Sequence, residues 1–185
     1  MAQGKLWLGF ASLHAIALAT TGAVLLASCA SYAEAIGMTL LFQSSGGQVG
    51  VLRFDPDGQR GPTPGSVGSM SPKGGKEMAF MPGDGKRGVP QFVDVAWMVA
   101  TPEYEKDWAI LERRPDRYSK NWRVTLNDVN ARAPHYSKRV DLRPIITPEL
   151  VDRVRSNAQN THLKLIITFN NDDVNIRPIA YQWRR

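Results

Sequence analysis

One cysteine, Cys29, is all that the 185 residues offer to thiol chemistry, and three histidines are all that they offer to imidazole chemistry. With one sulfhydryl the chain cannot close a disulfide on itself, and a structural zinc site built from cysteines is excluded. Only His135 and His162 lie beyond the first thirty residues. Neither has a second histidine or a carboxylate at ligand spacing, so no metal site and no cofactor are expected. Nucleophilic catalysis is equally poorly served. Gly65-Ser66-Val67-Gly68, with Ser69 after it, lacks glycines at offset two on both sides of the serine, which a nucleophile elbow needs. No triad order is recognisable, and the chain is not expected to be an enzyme.

Two loop motifs come close to a known chemistry without reaching it. Gly83-Asp84-Gly85-Lys86-Arg87-Gly88 satisfies a bare glycine-x-glycine-x-x-glycine pattern, but Val89-Pro90 and a strand follow it, where a dinucleotide site requires a helix N-terminus. Asp55-Pro56-Asp57-Gly58 faintly resembles a calcium loop, yet Gln59 and Arg60 stand where the third oxygen ligand would fall and the bidentate glutamate is missing. Both read as turns.

What is present is concentrated at the start. Lys5 precedes an uncharged run from Leu6 to Ser28, which ends in Leu26-Ala27-Ser28-Cys29. A basic start, an apolar stretch and small residues before a cut site make a secretory signal. The four residues resemble the lipobox of bacterial lipoproteins, in which the chain is cut between the residues corresponding to Ser28 and Cys29 and the cysteine is acylated. An uncleaved membrane anchor, for which about twenty apolar residues suffice, and an ordinary signal peptide are the alternatives. Ala30-Ser31 lacks the aspartate that favours inner-membrane retention. The sorting rule of Gram-negative lipoproteins therefore implies an outer-membrane lipid anchor facing the periplasm.

The expected organisation is a signal peptide over 1–28, a lipidated tether over 29–35 and one domain over 36–185, large enough to fold on packing alone. The formal net charge is +6, of which the signal contributes only Lys5. Outside the cytoplasm nucleic acid is not an expected partner, and a basic surface there suits anionic headgroups or an acidic protein.

Within the domain, Ile36–Gln43 and Val49–Phe54 read as strands joined by Gly46-Gly47, and a hairpin is expected. Asp55–Gly75 is rich in proline and glycine and reads as loop. Strands are expected at Lys76–Met81 and Gln91–Ala100, the latter central. Thr101-Pro102-Glu103 carries a helix-start signature for one or two turns to Leu111. The polar stretch from Arg113 to Ala133 reads as irregular, with a short strand at Trp122–Leu126. Strands are expected again at Tyr136–Leu142, His162–Phe169 and Val174–Trp183, with a helix from Pro148 to Ala158. On the His162–Phe169 strand, Leu163, Leu165, Ile167 and Phe169 share one face, and His162 falls on the polar one. Pro178 marks an edge strand or a bulge. The fold class is α+β: mainly antiparallel β-sheet with one or two helices packed on one face.

The remaining candidate is a binding surface. Trp108, Arg113, Arg114, Arg117, Tyr118 and Trp122 fall within fifteen residues, and Trp, Tyr and Arg dominate protein–protein hot spots. The competing account makes Trp108 and Trp122 core anchors and the arginines a solvated face.

Several stretches together carry a wider resemblance: the lipobox, Ser71-Pro72-Lys73-Gly74-Gly75-Lys76, Val93-Asp94-Val95-Ala96-Trp97, Thr147-Pro148-Glu149-Leu150 with Val154-Arg155, Leu163-Lys164-Leu165-Ile166, and Trp183-Arg184. Over residues 47–185 the chain resembles small proteobacterial lipoproteins of unknown function. Some of these are immunity proteins of the type VI secretion system. The resemblance implies a periplasm-facing lipoprotein that binds and blocks a secreted phospholipase effector, without chemistry of its own. A structural or assembly lipoprotein of the envelope is the alternative.

The anchor is directly testable. Cys29→Ser should abolish incorporation of labelled palmitate, and labelling that survives the substitution would place the lipid elsewhere or nowhere.

Overall fold

The computed structural model describes residues 36–68, 75–80 and 89–182. The signal and lipidation stretch with Ser28 and Cys29, the tether, Ser69 and the glycine motif at 83–88 lie outside the described residues. Eight strands make two four-stranded sheets. One holds β1 (Met38–Ser44), β4 (Lys76–Phe80), β7 (Thr161–Asn170) and β8 (Asp173–Gln182) in the order β4-β1-β7-β8. The other holds β2 (Val49–Pro56), β3 (Gly65–Val67), β5 (Phe92–Val99) and β6 (His135–Asp141) in the order β3-β2-β5-β6. All pairings are antiparallel except β1 with β7. Three helices, α1 (Pro102–Glu112), α2 (Lys120–Arg132) and α3 (Pro148–Arg155), complete the described elements. The class is α+β, dominated by mostly antiparallel sheet.

The sheets pack face to face because each strand turns an alternate set of apolar residues inward. Met38, Leu40 and Phe42 from β1 and Leu163, Leu165, Ile167 and Phe169 from β7 meet Val49, Val51 and Phe54 from β2 and Val93, Val95 and Trp97 from β5 in one buried core. Phe42 meets Phe54 edge to face across the interface, with centroids 5.2 Å apart. This packing overturns the expected β1–β2 hairpin. Both neighbours of β1 are already strands of its own sheet, and the Ser45 N–H goes to the Phe169 carbonyl at 2.9 Å. The Gly46-Gly47 turn therefore carries the chain from one sheet to the other, placing two apolar faces against each other rather than side by side.

β7 runs between β1 and β8 and is buried on both faces. The expectation that His162 lies on a polar face is corrected: His162 and Lys164 are both buried. Lys164 is 7 % exposed and makes a 2.8 Å ion pair with Glu77 of β4. Its ammonium also lies 4.5 Å from the Tyr181 ring centroid. Pro178 falls on β8, an edge strand, where a missing N–H costs no ladder bond.

Each helix begins at a hydroxyl cap. Thr101, Ser119 and Thr147 accept from the N–H groups of Tyr104, Trp122 and Leu150, each cap contributing about 1 kcal/mol. α3 ends at Arg155, short of the expected Ala158, and its Val154 joins the main core. α1 runs eleven residues, longer than the one or two turns expected. The expected strand at Trp122–Leu126 is instead the first part of α2. Trp122, Leu126 and Val129 recur at helical spacing and pack on α1, and that packing overrides the β-preference of Trp122 and Val124.

Burial disfavours protonation of His162, and the neighbouring Lys164 charge adds to this while Glu77 opposes it, so its pKa is lowered. Folding therefore makes His162 harder to protonate, whereas the unfolded chain takes up a proton below about pH 6.5. Stability should therefore be level above pH 7 and fall as the pH drops through 6.5 towards the lowered folded value. Urea denaturation at pH 8, 6.5 and 5 tests this. His162→Gln should flatten that interval, and an unchanged slope in the variant would assign it to other groups.

Candidate functional site

The α1–α2 pair is an excursion between two adjacent strands. The chain leaves β5 at Val99, makes the two antiparallel helices, and returns to β6 at His135. The hairpin has its own small core of Leu111, Trp122 and Val129, with Tyr104, Trp108 and Leu126 packed around it. Trp122 donates from Nε1 to the Leu111 carbonyl at 2.9 Å, and Trp108 meets it edge to face at 6.3 Å. Asp107 pairs with Arg132 at 2.8 Å, and Tyr104 donates to Asn130 Oδ1 at 3.2 Å. These contacts tie the two helices together along their length.

The turn between the helices is held by Arg114. Its guanidinium grips both oxygens of Asp116 at 2.8 Å and reaches Thr125 at 3.2 Å. Arg114 and the Ser119 hydroxyl hold the Asp116 carboxyl below the usual carboxylate range. Arg117 makes a looser pair with Glu112 at 3.6 Å. Tyr118 then sits at φ +73°, in the left-handed region, and is 62 % exposed. Its ring packs on Trp122 at 5.4 Å, and the Arg117 guanidinium lies 5.0 Å from its centroid. A tyrosine held left-handed costs about 1–3 kcal/mol, so the surrounding turn must impose that geometry.

Structure thus divides the sequence candidates. Trp122 is buried and Trp108 is partly buried against the hairpin core, as the competing account had it. Arg114 is committed to holding the turn. Arg113, Arg117 and Tyr118 are exposed together at the tip. Sequence reasoning missed two further exposed apolar side chains on the helices that flank the turn, Ile110 of α1 at 58 % and Val124 of α2 at 53 % exposure. With Tyr118 they are three of the five large apolar or aromatic side chains exposed among the described residues. Between Ile110 and Val124 stand five cations and two carboxylates. Only recognition of α2 would have revealed the tip, and its signals were the Ser119 cap and the Trp122–Leu126–Val129 spacing.

At the opposite end of the hairpin, α1 and α2 overhang the outer face of β2, β3 and β5, leaving a groove of about 650 Å³. Leu52, Met98, Trp108 and Leu126 give it apolar walls, and Glu105 contributes a carboxylate. Leu52, 50 % exposed, sits at a register shift between β2 and β5, a bulge of the kind that redirects a side chain. Gly50 opposes Met98 in that ladder and leaves room for it: a Cβ there would stand 2.9 Å from the Met98 methyl.

The Asp55–Gly58 stretch, expected to be a turn throughout, is the end of β2 at Asp55 and Pro56 and a turn at Asp57 and Gly58. Asp57 and Gly58 have φ +48° and +73°, and Asp57 Oδ1 accepts the N–H groups of Gln91 and Phe92 at 2.9 and 3.2 Å. Among the described residues no group of three or more His, Cys, Asp or Glu side chains is arranged to hold a metal ion, and no helix is long and apolar enough to cross a membrane. No family model, no curated protein and no solved structure matches the chain.

Backbone strain at Tyr118 gives an unusual stability order. Tyr118→Ala loses the ring contacts and keeps the strain, whereas Tyr118→Gly loses the contacts and relieves it. The glycine variant should be the more stable of the two by roughly 1 kcal/mol. The reverse order in urea melts would mean that residue 118 is not left-handed in solution.

Proposed function

We propose that this chain is a periplasm-facing lipoprotein whose β-rich domain binds a secreted antibacterial phospholipase and blocks it by occlusion. The observation that carries the binding reading is the hairpin tip, where an exposed tyrosine in a costly backbone geometry lies against the exposed Arg117, with Arg113 exposed in the same turn and Ile110 and Val124 exposed on the flanking helices. Strain retained at an exposed residue needs a use, and tyrosine with arginine at a protruding, apolar-rich tip suits a protein interface. The choice of a lipase as partner comes from the resemblance to lipoproteins of type VI immunity.

The physical logic is simple. A lipid at Cys29 would keep the domain on the membrane that the enzyme attacks, raising its effective concentration there. Arg113 and Arg117 would steer the tip towards carboxylates around the enzyme's substrate mouth. Tyr118 would fill an apolar recess and be desolvated, with Ile110 and Val124 excluding water around it. Substrate access would end without any bond being made or broken.

The test is periplasmic co-expression with a secreted phospholipase, sought first among the genes flanking this one. Wild type should protect the cell. Tyr118→Ala should weaken the purified complex by about thirtyfold, as loss of a 2 kcal/mol hot spot would. Reversal of Arg113 and Arg117 to Glu should slow association and weaken its salt dependence while leaving the melting temperature unchanged. Absence of a complex at micromolar concentration would remove the immunity reading and favour a structural envelope lipoprotein.

A further inference from the structure

The groove at the base of the hairpin is separate from the tip and has a different character. Its volume, about 650 Å³, lies within the ~300–1,000 Å³ range of small-ligand clefts, which are mostly apolar with a few polar groups fixing orientation. Met98, Leu52 and Leu126 supply adaptable aliphatic and thioether surface. Along α1, Tyr104, Glu105 and Trp108 all line the groove, and Glu105 is exposed.

Charge decides what could lie there. The chain carries 23 lysines and arginines against 17 acids, yet no basic residue lines the groove, and Glu105 is its one charged lining residue among those described. Exposed carboxylate at the rim repels a fatty acid or a phosphate-bearing head. It attracts a cation, and aromatic rings beside it add cation–π attraction. We infer that this groove binds an apolar chain ending in an ammonium group, with the chain against Met98, Leu52 and Leu126 and the head at Glu105 between Tyr104 and Trp108. The features around it fit such a purpose: Gly50 lets Met98 lie low over the sheet, and the β2 bulge places Leu52 at an exposed position beside the cleft.

The groove's size is that of a small-ligand cleft, so the occupant is a free amphiphile, and the test sets it against a lysine following apolar residues in a protein. The full-length protein, labelled on its methionine methyl groups, is titrated by NMR with decyltrimethylammonium, with decanoate, and with the peptide acetyl-Leu-Leu-Lys-amide, all below micelle-forming concentrations. The Met98 methyl should shift saturably while that of Met38, buried in the main core, stays still. The trimethylammonium head should be preferred over the carboxylate by about tenfold, the sum of attraction for one head and repulsion of the other. Glu105→Gln, at an exposed position, should reduce that preference to about threefold or less. Leu52→Asn should weaken both decyl ligands equally. A stronger response to the peptide than to the amphiphile would assign the natural head to a lysine side chain, and the opposite order to a free amphiphile. Equal affinity for the two decyl heads, or no saturable Met98 shift with either ammonium ligand, would overturn the proposal.

Discussion

The structure depends on the position of one indole. Trp97, on the central β5, is fully buried between the sheets and donates from Nε1 to the Asn171 carbonyl in the β7–β8 turn at 2.7 Å. Its ring meets Phe169 of the opposite sheet at 5.5 Å and stacks on Tyr136 of the neighbouring strand at 5.7 Å. A tryptophan at this depth contributes several kcal/mol of burial, and its N–H would cost free energy if left without an acceptor. The bond to Asn171 meets that need and fixes the end of one sheet over the other. Asn171 itself is left-handed, at φ +50°, which turns its carbonyl chain into a tight reversal. Thr101, the cap of α1, lies four residues beyond Trp97. The same anchor that joins the sheets therefore fixes the base from which the hairpin rises.

The hairpin itself is held differently. Its buried centre is three side chains, set apart from the cluster that fills the sandwich. With so little apolar surface of its own, its cohesion leans on polar closure: two hydroxyl caps, the Trp122–Leu111 hydrogen bond, the Arg132–Asp107 pair and the Arg114 fork. Exposed ion pairs contribute little singly, so the helical unit should open at lower free energy than the sheets. A projecting element of modest local stability on a rigid base is a common way to present a binding surface.

Much of this was legible in the sequence, and the misses share a cause. Alternation on β7 is clear, because Leu163, Leu165, Ile167 and Phe169 recur at a period of two. The caps at Thr101 and Thr147 were clear, because proline and an acid follow each of them. α2 was not, since Ser119 is followed by Lys120 and Asn121 and the helix carries a tryptophan and β-branched residues; its three inward positions gain meaning only when α1 lies against them. The β1–β2 hairpin was expected because two alternating strands and a glycine pair look alike whether the chain reverses within a sheet or crosses between sheets. Both put apolar residues inside. Partner choice by β1 depends on β7, more than a hundred residues away, and no local pattern records it. His162 is misplaced for the same reason: alternation shows which residues face the core, not whether the other face is also buried.

The candidate sites lay beyond local reading because each is made by juxtaposition. Composition gives only a basic chain, and from that alone either an acidic protein or an anionic surface would serve. Folding sorts the charge. Cations collect with exposed apolar groups at the hairpin tip, while the groove at its base keeps a single carboxylate among apolar walls. The two ends of one small helical unit thus attract opposite charges, and a ligand of either sign is directed to one end and repelled from the other. Arg114 maintains that division in an unexpected way. By spending its charge on Asp116 and Thr125, it contributes less to the tip's field than to its shape, and that shape is what holds Tyr118 left-handed and exposed. An arginine grouped by sequence with the candidate binding residues holds the turn that carries them.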